Sequence, residues 1–142
     1  VPKPTRDELA TFLAREFPQN KCMIVEVGDK AATVRHPVGE AELRPGGTVS
    51  GPVMMTVADV ALYVALLGEI GLVPLAVTTD LTIHFLRKPA ADAAILGRCR
   101  LIKVGRTLAI GEVEIFSEGS PEPVAHTIAS YAIPPRAGAS TA

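Results

Sequence analysis

Two features of this sequence could do chemistry together. One is Asp59, the only charged side chain between Arg44 and Glu69. The other is the run Gly46-Gly47-Thr48-Val49-Ser50-Gly51-Pro52 just before it. A carboxylate inside an apolar stretch is costly unless something pairs with it or uses it. Asp59 therefore reads either as a structural aspartate, bonded to a serine or threonine or at an edge wet by solvent, or as a catalytic carboxylate in a pocket at the helix surface. The glycine-rich run ends in a helix start, where Ser50 can cap and Pro52 is tolerated in the first turn. A helix N-terminus offers unpaired N–H groups and partial positive charge, which suits a carbonyl oxygen becoming an oxyanion. Gly51 keeps its N–H; Pro52 has none. Donor and acid are eight residues apart, about 12 Å along one helix and too far to act on one atom. They meet only if two copies of the helix lie antiparallel, one chain giving the donor and the other the acid. That predicts a dimer with shared sites.

The elements that must hold these residues are legible around them. Residues 53–67 are apolar on every side, which predicts a helix wrapped by other structure rather than a surface helix. Gly68 and Gly71 predict its end. At about 25 Å it is expected to be too short to span a membrane. Residues 5–17 read as a short helix with a Thr5/Glu8 capping box, an apolar stripe of Leu9, Phe12, Leu13 and Phe17, and Pro18 as its stop. Strands are predicted at 23–27 and 31–36, joined by Gly28-Asp29-Lys30, and again at 75–86, 93–104, 107–116 and 124–133. The stretch 37–51 reads as a long loop, and such loops are usually functional. Together these predict an α+β architecture, an antiparallel sheet curled around one helix. The strand at 75–86 alternates, with Val77, Thr79, Leu81, Ile83 and Phe85 on one face and Thr78, Asp80, Thr82 and His84 on the other. The later strands alternate poorly, the pattern expected where both faces are covered because sheets pack between subunits. Residues 135–142 are small and polar, an expected frayed tail.

The pattern Pro45-Gly46, then Gly51, an acid nine residues after Ser50, and a strand ending Phe85-Leu86-Arg87-Lys88-Pro89 resembles the hotdog-fold acyl-CoA thioesterases of the phenylacetate-pathway type. In that family an Asn-Pro-x-Gly-x-x-His-Gly-Gly stretch opens the central helix. The resemblance covers roughly residues 20–134 of a single hotdog domain, with the glycine donor on Gly51 and the acid on Asp59. The family's Asn falls on Arg44, its His on Ser50 and its second Gly on Pro52. It implies an acyl-CoA thioesterase acting on a small or medium acyl group, a homodimer or homotetramer, and no cofactor beyond the coenzyme A of the substrate. Catalytic candidates are Asp59, Gly51 and Ser50. Tyr63, one turn beyond Asp59, is a substrate-binding candidate. Arg87, Lys88 and Arg106 sit at strand ends and turns, as plain solvated charges or as contacts to coenzyme A phosphates; the resemblance favours Arg87 and Lys88. Arg44 either holds a distal carboxylate on the acyl group or pairs with Glu40 or Glu42 in its own loop. Departures at Arg44 and Ser50 motivate a second reading, an acyl-CoA-binding sensor without turnover. A dehydratase of the same fold would need a His/acid pairing that the spacing does not show.

Composition bounds the rest. At 142 residues one domain is expected, with 48% hydrophobic and 4% aromatic residues predicting an aliphatic core. A net charge of -1 gives no footprint for nucleic acid. Cys22 and Cys99 have no metal spacing and read as buried thiols in a reducing compartment. The first residues show no apolar h-region, and a cytoplasmic address with no membrane partner is expected. No metal cluster is expected either: His84 shares a face with Asp80, and His36 and His126 have no acid at useful spacing. Gly46-Gly47-Thr48 lacks the lysine of a phosphate-binding P-loop.

Overall fold

The computed structural model describes residues 2–135; the expected frayed tail falls, beyond Pro135, outside the described residues. Helix α1 (Arg6–Glu16) starts at the capping box. Thr5 Oγ1 accepts the Glu8 N–H at 3.1 Å, and Glu8 Oε1 accepts the Thr5 N–H at 2.9 Å. Strands β1 (Met23–Gly28) and β2 (Ala31–His36) form a hairpin whose turn holds Asp29 and Lys30 at φ 54° and 61°, the left-handed pair that a two-residue hairpin turn demands. The expected loop 37–51 is more structured than its composition suggests. It contains a 3-10 turn at Glu40–Glu42 and a short ribbon of β3 (Leu43–Arg44) and β4 (Thr48–Val49). Then follow α2 (Gly51–Ile70), β5 (Val77–Phe85), β6 (Ile95–Val104), β7 (Leu108–Ser117) and β8 (Pro123–Ala132).

Six strands make one antiparallel sheet in the order β1-β2-β6-β7-β8-β5, and α2 packs across its middle strands β2, β6 and β7. The helix is longer than the sequence suggests. Gly68 does not end it but lies inside, so close to β1 that a Cβ would stand 2.7 Å from Val27 Cγ2. Gly71, at φ 98°, ends it and donates to the Leu67 carbonyl at 2.9 Å. A helix of twenty residues with this composition is long and apolar enough to cross a bilayer, which corrects the expectation from length. What defines α2 is its packing: eleven of its residues are buried in the protein. Leu62, Leu66 and Leu67 are fully covered, each burial contributing about 1.5–3 kcal/mol.

The helix and sheet approach so closely that side chains are squeezed out at the crossing. A Cβ on Gly97 would sit 2.7 Å from Val57 Cγ1, and one on Gly111 would sit 2.9 Å from Leu62 Cδ1. This explains why the later strands alternate poorly in sequence. Their inward residues include Gly97, Cys99, Ala109 and Gly111, which carry little hydrophobic contrast. In β6 burial nevertheless alternates, with Ile95, Gly97, Cys99 and Leu101 inside and Arg98, Arg100 and Ile102 exposed. Within one chain the outer face is open, so cover on both faces would come from sheets packed between subunits.

Edge strand β5 departs from its expected alternation. Thr78 lies opposite Tyr131 and Asp80 opposite Ser130, so the pairing slips by one residue at Thr79. This bulge puts Thr78 on the helix side together with Leu81 and Ile83, although an unbroken strand would place it on the opposite face. Val77 and Phe85 are left 54% and 51% exposed. Cys22 and Cys99 are buried and unpaired, and burial pushes both thiols up to about 12.

Candidate active site

Asp59 lies on the open stripe of α2. Pro52, Met55 and Thr56 are exposed and Asp59 and Tyr63 half-buried, at spacings of three and four that keep them on one side of the helix. One carboxylate oxygen, Asp59 Oδ1, accepts from two hydroxyls, Thr78 Oγ1 at 2.5 Å and Tyr131 OH at 2.7 Å. Asp59 Oδ2 makes no hydrogen bond among the described residues. The carboxylate is thus aimed: one oxygen is tied to the sheet, and the other is available to a reactant. Tyr131 is buried, and burial followed by the Asp59 charge holds its phenol well above the ordinary value of 10.0, so it remains a proton donor to the acid.

A cavity of about 390 Å³ opens at Asp59, walled by Tyr63, Tyr131, Phe17, Val60, Leu75 and Val77, with Glu16 also in its lining. The Tyr63 and Tyr131 rings stand 6.0 Å apart at 30°, and Tyr63 OH donates to the Pro74 carbonyl at 3.1 Å. Burial raises the Tyr63 phenol as well. No lysine or arginine lines this cavity.

The other sequence-predicted residues gather elsewhere. Arg44, Gly51, Arg87 and Lys88 line a second cavity of about 370 Å³ at the start of α2, together with Met54 and Phe85. The two cavities share no residue. Gly51 opens α2, where first-turn N–H groups have no partner within the helix. The Phe85 ring lies over it, 3.2 Å from where a Cβ would stand. Ser50 occupies the cap position, but its side chain makes no capping bond; its N–H donates to the Glu42 carbonyl at 2.9 Å. Glu42 does not pair with Arg44. Its buried carboxylate accepts the Gly39 N–H at 2.7 Å and Lys21 Nζ at 3.0 Å. The Gly39 N–H first, and then Lys21, hold it below the ordinary 4.5. Arg87 donates to the Pro123 carbonyl and pairs with Glu122 at 3.4 Å. Arg44 and Lys88 make no ion pair among the described residues.

A family model described as the thioesterase superfamily matches residues 46–124, from the glycine-rich run through the start of β8. The chain belongs to the thioesterase superfamily. A candidate thioesterase from Silicibacter sp. TM1040 is similar to it at 44% identity over 92% of both chains, with a TM-score of 0.85. Zebrafish thioesterase superfamily member 2 (20% identity, 92% of this chain and 99% of that one, TM-score 0.81) shares the fold. So does the Escherichia coli PaaI protein of the phenylacetic acid degradation operon (20%, 87% and 93%, 0.74). No curated protein matches the chain significantly. The resemblance to the hotdog thioesterases is borne out, and the chain is a thioester hydrolase.

In this thioesterase Arg106 lies in the exposed turn between β6 and β7, outside the lining of either cavity. Thr78 and Tyr131 were not legible as site residues, because the bulge that turns Thr78 inward leaves no mark in the residue pattern. His126, without a useful acid by spacing, has one across the sheet: its Nε2 lies 2.9 Å from Glu112 Oε2, and Arg100 holds the other oxygen at 2.9 Å. This cluster is on the outer face of the sheet, away from Asp59. Among the described residues no group of three His, Cys, Asp or Glu side chains could hold a metal ion.

Proposed function

We propose that this thioesterase hydrolyses small or medium acyl-CoA esters in the cytoplasm, with no cofactor beyond the coenzyme A of the substrate. The observation that carries the reading is the division of labour between the two cavities. The one holding Asp59 has no cation in its lining and, beside its polar groups, an aliphatic and aromatic wall of Phe17, Val60, Leu75, Ala76 and Val77, which suits an acyl group. The one holding Gly51 has Arg44, Arg87 and Lys88, which suits the coenzyme A phosphates. The thioester belongs at their junction. The two lie at different levels of one helix, so a complete site takes Gly51 from one protomer and Asp59 from its partner. The open stripe of α2 and the exposed Val77, Phe85 and Leu86 around edge strand β5 support a homodimer.

Asp59 acts as general base. It takes a proton from water as the water oxygen bonds to the thioester carbon, and the carbonyl oxygen becomes an oxyanion at the Gly51 N–H and the α2 N-terminus. Collapse of this tetrahedral adduct breaks the carbon–sulfur bond, and the proton held by Asp59 leaves with the coenzyme A thiolate. The two unpaired buried thiols suit a reducing compartment. The test is release of free thiol from a panel of acyl-CoA esters. Turnover on part of the panel is expected; tight binding with no thiol release would leave only the sensor reading.

A further inference from the structure

A third cavity, about 670 Å³, lies between α1 and β1 and is lined mainly by apolar residues, among them Leu13, Ala14, Cys22 and Ile24. It and the Asp59 cavity have a single residue in common, Phe17. Phe17 is held in place by its position. It caps the C-terminus of α1, its N–H donates to the Leu13 carbonyl at 2.8 Å, and Pro18 follows. The side chain is half-buried and packs on the core. Phe17 therefore stands in the wall between the Asp59 cavity and a largely apolar groove.

We propose that Phe17 is the chain-length stop of the acyl pocket, a specificity-determining residue that confines this thioesterase to short and medium acyl groups. The inference rests on the reading that the Asp59 cavity takes the acyl group. Chains that fit in front of Phe17 bind fully, and longer ones must bend back into water. Removing the ring joins the two cavities and lets a long chain run on between α1 and β1. Each further methylene buried there is worth about fourfold in binding, so the gain appears in KM more than in kcat.

The experiment compares kcat/KM for butyryl-, hexanoyl-, dodecanoyl- and tetradecanoyl-CoA in the wild type, Phe17→Leu, Phe17→Ala and the double variant Phe17→Ala/Ala14→Trp. Expected are a sharp fall beyond hexanoyl-CoA in the wild type and a dodecanoyl-to-hexanoyl ratio at least about tenfold higher in Phe17→Ala. Phe17→Leu should be intermediate, and the double variant should return to the wild-type ratio because the new ring refills the groove. The circular dichroism spectrum and melting transition show that each variant is folded, and a folded Phe17→Leu without turnover on any ester also overturns the proposal. A wild type that already prefers dodecanoyl-CoA overturns the proposal, as does an unchanged ratio in an active Phe17→Ala or Phe17→Leu protein. Absence of turnover on every ester in the wild type would instead overturn the proposed function itself.

Discussion

A carboxylate with one oxygen tied and the other free can orient a water without a second acid, and Asp59 has that arrangement. Asp59→Asn keeps the shape and still accepts from Thr78 and Tyr131, but the amide takes no proton. Thioester hydrolysis should fall about 10²–10⁴-fold, with coenzyme A affinity and the circular dichroism spectrum unchanged. Wild-type turnover in the purified variant would make Asp59 structural. Arg44 is the residue whose alternatives the geometry separates. It does not pair with Glu42, and it lies with Lys88 in the Gly51 cavity, apart from the one proposed for the acyl group. Arg44→Asn should therefore raise KM for butyryl-, hexanoyl-, succinyl- and glutaryl-CoA alike. Losing one charge-assisted contact of about 1.5–3 kcal/mol predicts roughly 10–100-fold. A loss confined to the two dicarboxylic esters would place a distal carboxylate on Arg44 instead.

At the scale of elements, the delivery of Gly51 depends on Glu42. Its side chain clamps Gly39 and Lys21 at one end of the ribbon, and its carbonyl takes the Ser50 N–H at the other. Its folded pKa lies below the ordinary 4.5, so it stabilises the fold above the unfolded value, and that contribution is lost as pH falls through the folded one. The melting temperature of Glu42→Gln should lie below that of the wild type near neutral pH, and the gap should narrow below the ordinary 4.5 and close as pH falls through the lowered folded value. A gap that does not depend on pH would assign the effect to packing. The sequence made some of these elements plain and hid others for physical reasons. The capping box at Thr5 and Glu8, the hairpin at Asp29-Lys30 and the buried α2 are local signals, each written within a few neighbouring residues. The ribbon at Leu43–Val49 was obscured by its brevity. The alternation of β6 and β7 was obscured by the glycines and other small residues that the close approach of α2 requires.

At the scale of the whole molecule, the cavity at Gly51 and the cavity at Asp59 are each formed within one chain, and the proposed site joins them across two. Asp59, Gly51, Arg87 and Lys88 could be read from pattern and resemblance, whereas Thr78 and Tyr131 required the sheet register. Arg106 was placed by charge alone and lies apart from both cavities. A shared site predicts complementation. Asp59→Asn mixed and refolded with Gly51→Pro, which lacks the donor N–H, should give heterodimers with one complete site. Random pairing then restores about a quarter of wild-type activity to two inactive proteins. Confirmed heterodimers without activity would rule out the two-chain site.

The slip at Thr79 has a consequence for how this protein can change. Because Thr78 reaches Asp59 only through one unpaired residue in β5, the strand's geometry depends on a count rather than on an alphabet. Asp80, Thr82 and His84 are exposed and line neither cavity, so their composition can drift. A single residue gained or lost between Thr78 and Leu81 is a different event: it reverses the parity of the strand and turns Thr78 outward, while Leu81 and Ile83 stay against the core. At those outward positions the segment is permissive toward substitution, yet it is intolerant of a change in length, so the alignment of Asp59 is inherited as a reading frame of the fold.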